Sequence, residues 1–225
     1  MKTMLMIASL LTMLCGGAFA GVVHDIRTGA VPVGAYVTVP DAVVTAVMGN
    51  SFVIAEAESG PRRSVWVYAG AAPTVTEGDV VEVVGTHILN GDRTAISLLH
   101  PAEARVTVTG TAVLPDNQLT VAELLDDPEG WASTRLFVSD GLIVQELLDD
   151  GLWRVTSFES GLALLLDDYF GLYPDARIAE CYNDAEGVFI LHEGRYVLKV
   201  LAVTDTDCTV SAETASFGAV KQMYR

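Results

Sequence analysis

The sequence predicts an all-β protein built from two tandem small barrels. From Tyr36 onward, short segments of β-branched and aromatic residues recur at strand spacing and are separated by turn residues. A similar order of segments returns after residue 133, which indicates an internal repeat. No stretch of the first block has the length and apolar period of an ordinary helix. These three observations together define the expected fold class.

The first block contains five candidate strands, at residues 37–39, 42–47, 52–54, 65–68 and 80–84. The turn signals between them are Gly49-Asn50, Gly60-Pro61, Gly70 and Glu77-Gly78-Asp79. A meander of this size, with every strand half buried, leaves unpaired edges if it stays open. We therefore expect the block to close into a small barrel.

The second block follows the same plan. Its matches to the first block are 136–138 to 37–39, 140–144 to 41–45, 151–155 to the strand that begins at Phe52, 161–166 to the strand that carries Trp66, and 193–200 to 77–84. The order of the segments is kept, with an insertion of some fifteen to twenty residues before the last one. We interpret the second barrel as a duplication of the first.

An ordered connector is expected between the barrels. Residues 105–110 alternate as a strand that either closes the first barrel or bridges to the second. Thr120 and Glu123 have the spacing of a capping box, which predicts a short helix through Leu125 that Pro128 and Gly130 terminate. The predicted boundaries are 1–20 for a signal peptide, 21–103 for the first barrel, 104–132 for the connector and 133–225 for the second barrel.

The first twenty residues have the features of a secretory signal peptide. Lys2 precedes an apolar run over residues 4–14, and Ala18-Phe19-Ala20 offers small residues at the positions that a signal peptidase reads. A membrane anchor is disfavoured because the run is shorter than about 20 residues and Gly16-Gly17 interrupts it. A lipid anchor on Cys15 is disfavoured by the bulky Leu14 before it. We expect an exported protein, periplasmic or extracellular, with no membrane insertion.

Export leaves two cysteines in the mature chain, Cys181 and Cys208. An even pair in an oxidising compartment predicts a structural disulfide. The bond would close a loop of about 28 residues and stabilise the fold by about 3 to 4 kcal/mol on the chain-entropy model. A redox or metal pair is the alternative, but no C-x-x-C spacing supports it.

The charge balance argues against general binding to nucleic acid. The 225 residues include 13 Lys and Arg against 29 Asp and Glu, for a net charge of −16. A surface of that charge repels phosphate backbones and anionic lipids, and only a local basic patch can reverse the effect.

A resemblance to a known family appears in the first block. The residues that carry it are Asp25-Ile26-Arg27, Val33-Gly34, 37–39, 43–47, 51–54, 65–68 and 77–85. They resemble the non-catalytic OB-fold segments that lie ahead of the catalytic domain in secreted bacterial endonucleases, and the second block resembles them more loosely. The resemblance implies two tandem OB-fold-like barrels and a binding role. It does not carry nuclease activity across, because no room for a catalytic domain is expected before Arg225.

We find no motif that predicts an enzyme. The four histidines, His24, His87, His100 and His192, are scattered, and no zinc-protease, nucleophile-elbow, P-loop or Rossmann pattern is present. We therefore expect no catalytic residues and no cofactor.

The tetrapeptide Leu-Leu-Asp-Asp occurs three times, at 124–127, 147–150 and 165–168. Paired carboxylates on loops can bind Ca²⁺, which takes six to eight oxygen ligands. The alternative is that they are solvated turn ends. No spacing matches an EF-hand loop, and we expect no metal site.

The candidate ligand-binding residues lie near the third strand of the first barrel. Arg62 and Arg63 precede Trp66 and Tyr68, and in OB-folds this region combines arginines that meet phosphate with aromatic rings that stack on bases or sugars. Trp66 and Tyr68 share one strand face, opposite two valines, so either both line the barrel or both face outward. Valines pack a narrow barrel more readily than tryptophan, which favours the aromatic pair outside, where it either contacts a ligand or covers the neighbouring barrel. Trp153 and Arg154 lie on a comparable strand of the second barrel and complete the candidate set.

These observations predict an exported, non-enzymatic binding or assembly module. Its expected partner is a protein or a glycan, recognised through the strand faces that carry Trp66 and Tyr68. The alternative is a single-stranded nucleic-acid-binding OB-fold protein, related to the accessory segments of nucleases.

Overall fold

The computed structural model describes residues 19–20, 23–58, 60–148, 151–169 and 177–205. The first sheet contains β1 (Phe19–Ala20), β2 (Tyr36–Met48), β3 (Ser51–Ala55), β4 (Ser64–Tyr68), β5 (Asp79–Asn90), β6 (Arg93–Ser97) and β7 (Arg105–Thr111). The second sheet contains β8 (Gln118–Leu119), β9 (Thr134–Val138), β10 (Leu142–Leu147), β11 (Leu152–Ser157), β12 (Ala163–Asp167), β13 (Cys181–His192) and β14 (Arg195–Asp205). The short helices are α1 (Val23–Arg27), α2 (Val121–Asp126) and α3 (Pro128–Trp131).

Each sheet closes into a barrel with the strand order of an OB-fold. In the first sheet the order is β2-β3-β4-β6-β5, and β5 pairs back with β2. In the second the order is β10-β11-β12-β14-β13, and β13 pairs back with both β10 and β9. The pairs β4–β6 and β12–β14 are parallel, whereas the other pairs within the two barrels are antiparallel. The prediction of an all-β fold with two tandem OB-fold-like barrels and a short connecting helix is confirmed.

The long first strand is divided in the second barrel. The first part of β2 pairs with β5, its last residues pair with β3, and a register shift lies between Val39 and Ala42. In the second barrel β9 and β10 together cover the same path. A shift at this point bends the strand so that one chain segment can serve two sides of a closed barrel.

Four of the five segment matches between the blocks agree with this topology, and the last is wrong. Residues 193–200 lie mainly in β14, which pairs with β12 as β6 pairs with β4. The equivalent of β5 is β13, not β14. The error has a simple cause, since both strands of a hairpin show the same apolar alternation. Duplication of the barrel itself stays a prediction.

The connector is ordered and partly follows expectation. Thr120 Oγ1 accepts a hydrogen bond from the Glu123 amide at 3.1 Å, and the Glu123 carboxylate accepts one from the Thr120 amide at 2.8 Å. This capping box begins α2, as predicted. Pro128 was expected to terminate the helix, but it is instead the first residue of a second short helix, α3, for which Asp127 is the N-cap. Strand β7 joins the first sheet beside β5.

Three apolar clusters hold the molecule together. The interior of the first barrel is mostly valine and isoleucine, with Phe52 at its centre. The interior of the second barrel carries larger side chains, including Trp153, Tyr182 and Phe189. The third cluster lies outside both barrels and joins them. It consists of Ala46, Met48, Val53, Trp66 and Ala95 from the first barrel and Leu152, Val188, Ile190 and Val197 from the second.

Several predictions fall on residues that the structure does not describe. These include residues 1–18 of the expected signal peptide, whose last residues Phe19 and Ala20 pair with Val37 and Thr38 of β2. Cys208 also lies outside the described residues, so its disulfide with the buried Cys181 stays a prediction. Across the described ranges, no helix combines the length and apolar character that crossing a membrane requires.

Candidate functional site

A cleft of about 220 Å³ lies where the two barrels meet. The first barrel contributes its β2–β3 turn, the outer face of β3 and β4, and the β5–β6 hairpin. The second barrel contributes β14, Tyr169 just beyond the end of β12, and the equivalent hairpin. The lining residues are Met48, Asn50, Ser51, Trp66, Tyr68, Asn90, Arg93, Tyr169, His192 and Lys199.

Two cations lie over aromatic rings in this cleft. The Arg93 guanidinium is 5.1 Å from the centre of the Trp66 ring. The Lys199 ammonium is 3.7 Å from the centre of the Tyr169 ring and donates a hydrogen bond to Asp167 at 2.8 Å. Such cation–π contacts fix both the rings and the charges. The cleft is therefore an aromatic surface in which Arg93 supplies positive charge, while Asp167 balances the charge of Lys199.

Trp66 and Tyr68 lie on the outer face of β4, because Val65 and Val67 fill the barrel interior. Trp66 is 7% exposed, and most of its surface packs in the cluster that joins the barrels. Tyr68 is half buried, and its hydroxyl accepts a hydrogen bond from the Asn50 amide at 3.3 Å. Trp66 therefore covers the neighbouring barrel, which was one of the two predicted roles. Its remaining surface faces the cleft, where a ligand could contact it.

The predicted phosphate-binding role of Arg62 and Arg63 needs correction. Neither residue lines the cleft, and both are paired with carboxylates. Arg62 donates two hydrogen bonds to Asp127 at 2.6 and 3.1 Å, which lower the pKa of that carboxyl group. Arg63 pairs with Glu56. Because carboxylates already occupy these guanidinium groups, the doublet is part of the scaffold.

The two candidate residues of the second barrel, Trp153 and Arg154, also lie away from the cleft. Trp153 is buried inside the barrel, where its ring stacks on Tyr182 with 6.5 Å between centres. Arg154 points to the opposite side of β11 and pairs with Glu146 at 2.5 Å. Neither side chain lines the cleft. The alternation of β11 puts its tryptophan inside, whereas β4 puts its tryptophan outside.

Four residues that line the cleft were not predicted to bind a ligand: Arg93, Lys199, Asn50 and Asn90. A signal for Arg93 was present, because it directly follows the turn residues Asn90-Gly91-Asp92. Two strands joined by such a turn form a hairpin, and the hairpin between the fourth and fifth strands is a ligand-binding loop of OB-folds. Lys199 carried no comparable signal, since a lysine in an apolar strand gives no indication of which barrel it faces.

The acidic tetrapeptides act mainly as partners of cations. Asp127 pairs with Arg62, and Asp167 pairs with Lys199. Residues 149–150 of the second copy lie outside the described part of the chain. Among the residues that the structure describes, no group of three histidine, cysteine or carboxylate side chains is placed to hold a metal ion.

The electrostatics of the cleft are opposite to those of the whole chain. None of its described lining residues is an aspartate or a glutamate, although the chain contains 29 of them. Burial lowers the pKa of Arg93, and attraction to Tyr169 opposes that shift. A guanidinium stays protonated at neutral pH in spite of such a shift. The cleft therefore keeps its positive charge in an acidic protein.

Comparison with known proteins gives only distant matches. No protein-family model matches the chain, and no curated protein matches it. A murine DNA binding protein solved with double-stranded DNA is 9% identical, covering 76% of this chain and 99% of that chain at a TM-score of 0.40. The p204 HINb domain is 10% identical, covering 75% and 97% at 0.36. The tetrameric p202 HIN2 is 10% identical, covering 77% and 95% at 0.37.

The prediction of a protein or glycan partner in preference to nucleic acid is corrected. The structure of this chain supplies the physical reason, because the strand face that carries Trp66 is covered by the second barrel. That face does not offer a broad docking surface. The resemblance to endonuclease segments is not tested by these comparisons and stays a prediction.

Proposed function

We propose that this chain is a non-enzymatic protein that binds single-stranded nucleic acid and holds one unpaired base in the cleft between its barrels. The observation that carries the proposal is where the cleft lies. It is lined by the first turn, the second and third strands and the last hairpin of the first barrel. This is the surface on which OB-folds bind oligonucleotides and oligosaccharides. Arg93 favours a ligand that carries phosphate, whereas Lys199 is already paired with Asp167.

The side chains match the chemistry of a nucleotide. Tyr68 and Tyr169 supply exposed ring surface, and stacking on aromatic rings contributes about 1–3 kcal/mol per base. Trp66 is 7% exposed and supports Arg93 beside them. Asn50 and Asn90 supply amide donors and acceptors for the edge of a base. Arg93 is placed to meet the adjacent phosphate with a charge-assisted hydrogen bond.

The size of the cleft selects an unpaired strand. A volume of about 220 Å³ is below the roughly 300–1,000 Å³ of sites for drug-sized ligands. One base with its sugar is a suitable occupant, whereas a duplex is far too wide for a gap bounded by two barrels. A duplex would have to release a base from its stack before binding, at a cost of a few kcal/mol.

The global charge sets the expected strength of binding. Few cations contact the strand, so one or two neutralised phosphates give a slope of log affinity against log salt of about −0.7 to −1.4. With one stacked base and one or two charged hydrogen bonds, we expect a Kd of about 10–100 μM. This is a weak, local interaction in a protein that otherwise repels phosphate.

Fluorescence anisotropy of a labelled oligothymidylate titrated with the full chain tests the proposal. We expect binding in the stated range, weaker binding to a duplex of the same length, and at least a tenfold loss for Arg93→Gln. The matched control is Arg105→Gln, which removes the same charge from an exposed ion pair on β7. Equal loss for the two variants, or no binding at about 50 mM salt, would show that the cleft is not the binding site.

A further inference from the structure

A second cavity, of about 260 Å³, adjoins the cleft through Arg93. Arg93 lines both spaces and therefore stands at the boundary between them. The second cavity is also lined by Arg27 from α1, Glu129 from α3 and Tyr196 from β14. The two cavities form a path along the seam between the barrels, with Arg93 at its centre.

Arg27 and Arg93 differ from four other cations of the described chain that are at least partly shielded from solvent. Arg62, Arg63, Arg135 and Lys199 each form an ion pair with a carboxylate, as expected when acidic residues outnumber basic ones 29 to 13. Within the described ranges, no carboxylate forms an ion pair with Arg27 or Arg93. Asp92 and Glu129 also line this cavity, and the charge of Glu129 attracts Arg27, but the hydrogen bond between Arg27 and Glu129 goes to the backbone carbonyl oxygen. Two unpaired arginines thus share one cavity.

The hydrogen bonds of Arg27 are incomplete. One terminal nitrogen donates to the Glu129 carbonyl at 2.6 Å. Its Nε is buried and has no acceptor among the described residues. A buried donor without an acceptor costs about 1–3 kcal/mol, so such groups are rare unless something else occupies the site. A phosphoryl oxygen is an acceptor suited to a guanidinium group, and both arginines line this cavity.

We propose that the second cavity is a phosphate subsite, in which Arg27 and Arg93 bind the phosphodiester next to the base held in the cleft. The inference rests on the proposed function and adds to it a direction for the strand. The strand passes from the aromatic cleft, over Arg93, to Arg27. The ligand accordingly carries a phosphate next to the base that the cleft holds.

The salt dependence of oligothymidylate binding tests this subsite. We expect Arg27→Gln to weaken binding of an eight-residue oligothymidylate about tenfold and to reduce the salt slope by about 0.7, the value of one phosphate on a single strand. Affinity for thymidine, which carries no phosphate, should change less than twofold. Arg27→Lys, which keeps the charge, should restore the slope. Arg105→Gln, which also removes one positive charge from the protein, serves as the control.

Modified ligands test the subsite without altering the protein, in case Arg27→Gln does not fold. Replacing successive linkages of the oligothymidylate by a neutral methylphosphonate should reveal one position at which affinity falls about tenfold. Uniform losses at all positions would overturn the subsite. An unchanged salt slope in Arg27→Gln, with normal oligonucleotide binding, would overturn the subsite and leave the proposed function intact.

Two further outcomes separate the possible failures. If the wild-type chain binds no oligonucleotide at all, the proposed function and the subsite fail together. If inorganic phosphate raises the melting temperature in a manner that requires Arg27, while oligothymidylate does not compete, the cavity binds a free anion. That result would overturn the proposed path of the strand.

Discussion

At the residue scale, the side chains of the cleft have structural as well as binding roles. Trp66 packs against both barrels and carries Arg93 over its ring. The sequence predicted that Trp66 and Tyr68 share the outer face of their strand, because alternation with Val65 and Val67 is a local property. It did not predict the partners of Arg62, since Asp127 is 65 positions away along the chain.

Replacement of Trp66 should therefore affect stability as well as binding. We expect Trp66→Ala to lower the free energy of unfolding by about 3–5 kcal/mol, the usual cost of emptying a large buried aromatic site. Trp66→Phe should cost less and keep the protein folded for binding assays. Denaturant titrations of the two variants measure the difference. A loss below about 1 kcal/mol for the alanine variant would mean that the cluster joining the barrels is loosely packed.

The ion pair between Arg62 and Asp127 should make stability depend on acid pH. The hydrogen bonds from Arg62 lower the pKa of Asp127 in the folded state. Its stabilising effect is therefore complete above the unfolded pKa of about 3.9 and is lost as the pH falls through the lower folded value. Because both side chains are partly exposed, the effect should stay below about 1 kcal/mol.

Thermal melts of Asp127→Asn between about pH 2 and pH 6 measure this contribution. The variant should be less stable than the wild type near pH 6 and should lose less stability on acidification. Asp126→Asn, at the neighbouring exposed position, is the control. Parallel curves for the wild type and Asp127→Asn would contradict the assignment.

At the element scale, each barrel requires a close approach between its fourth and fifth strands. A Cβ on Gly85 of β5 would lie 2.6 Å from the Ser97 carbonyl oxygen, and one on Gly187 of β13 would meet the Lys199 carbonyl oxygen. These glycines occupy equivalent places, because they pair with Val37 and Leu136 on the first strand of each barrel. The hairpin strands themselves could be predicted from alternation, but their assignment to the fourth or fifth place could not.

Alanine at either glycine should destabilise its barrel. Gly85→Ala and Gly187→Ala force the backbone apart, and overpacking of this kind costs about 1–3 kcal/mol. Gly110→Ala is a matched control on β7, where the nearest atom to a new Cβ is 4.0 Å away. Chemical denaturation of the three variants tests the point. Equal stability of Gly85→Ala and Gly110→Ala would show that the strands can separate without cost.

At the scale of the whole molecule, the barrels are joined by polar as well as apolar contacts. Arg135 of β9 donates hydrogen bonds to the Thr45 carbonyl of the first barrel at 2.8 Å and to Glu77 at 2.5 Å. It also donates to Glu186 of its own barrel at 2.6 Å. The sequence predicted two packed barrels, but it did not reveal which outer faces meet, because an apolar outer face looks the same as an interior one in an alternating pattern.

Loss of Arg135 should weaken the joint between the barrels. Its side chain is 14% exposed, and removal leaves Glu77 and Glu186 without their shared partner. We expect Arg135→Met to cost about 2–3 kcal/mol and to weaken oligonucleotide binding, since the cleft needs both barrels. Calorimetry should then resolve two transitions in place of one. One unchanged transition would contradict a structural role for this residue.

The most direct test of the account is to locate the bound base. An oligothymidylate in which one base is replaced by 5-iododeoxyuridine can be photo-crosslinked to the full chain, and the adducts can be mapped by mass spectrometry. The account predicts crosslinks at Trp66, Tyr68 or Tyr169, and fewer of them in Arg93→Gln than in Arg105→Gln. Crosslinks confined to surfaces away from the cleft, or none above those of a bovine albumin control, would contradict it.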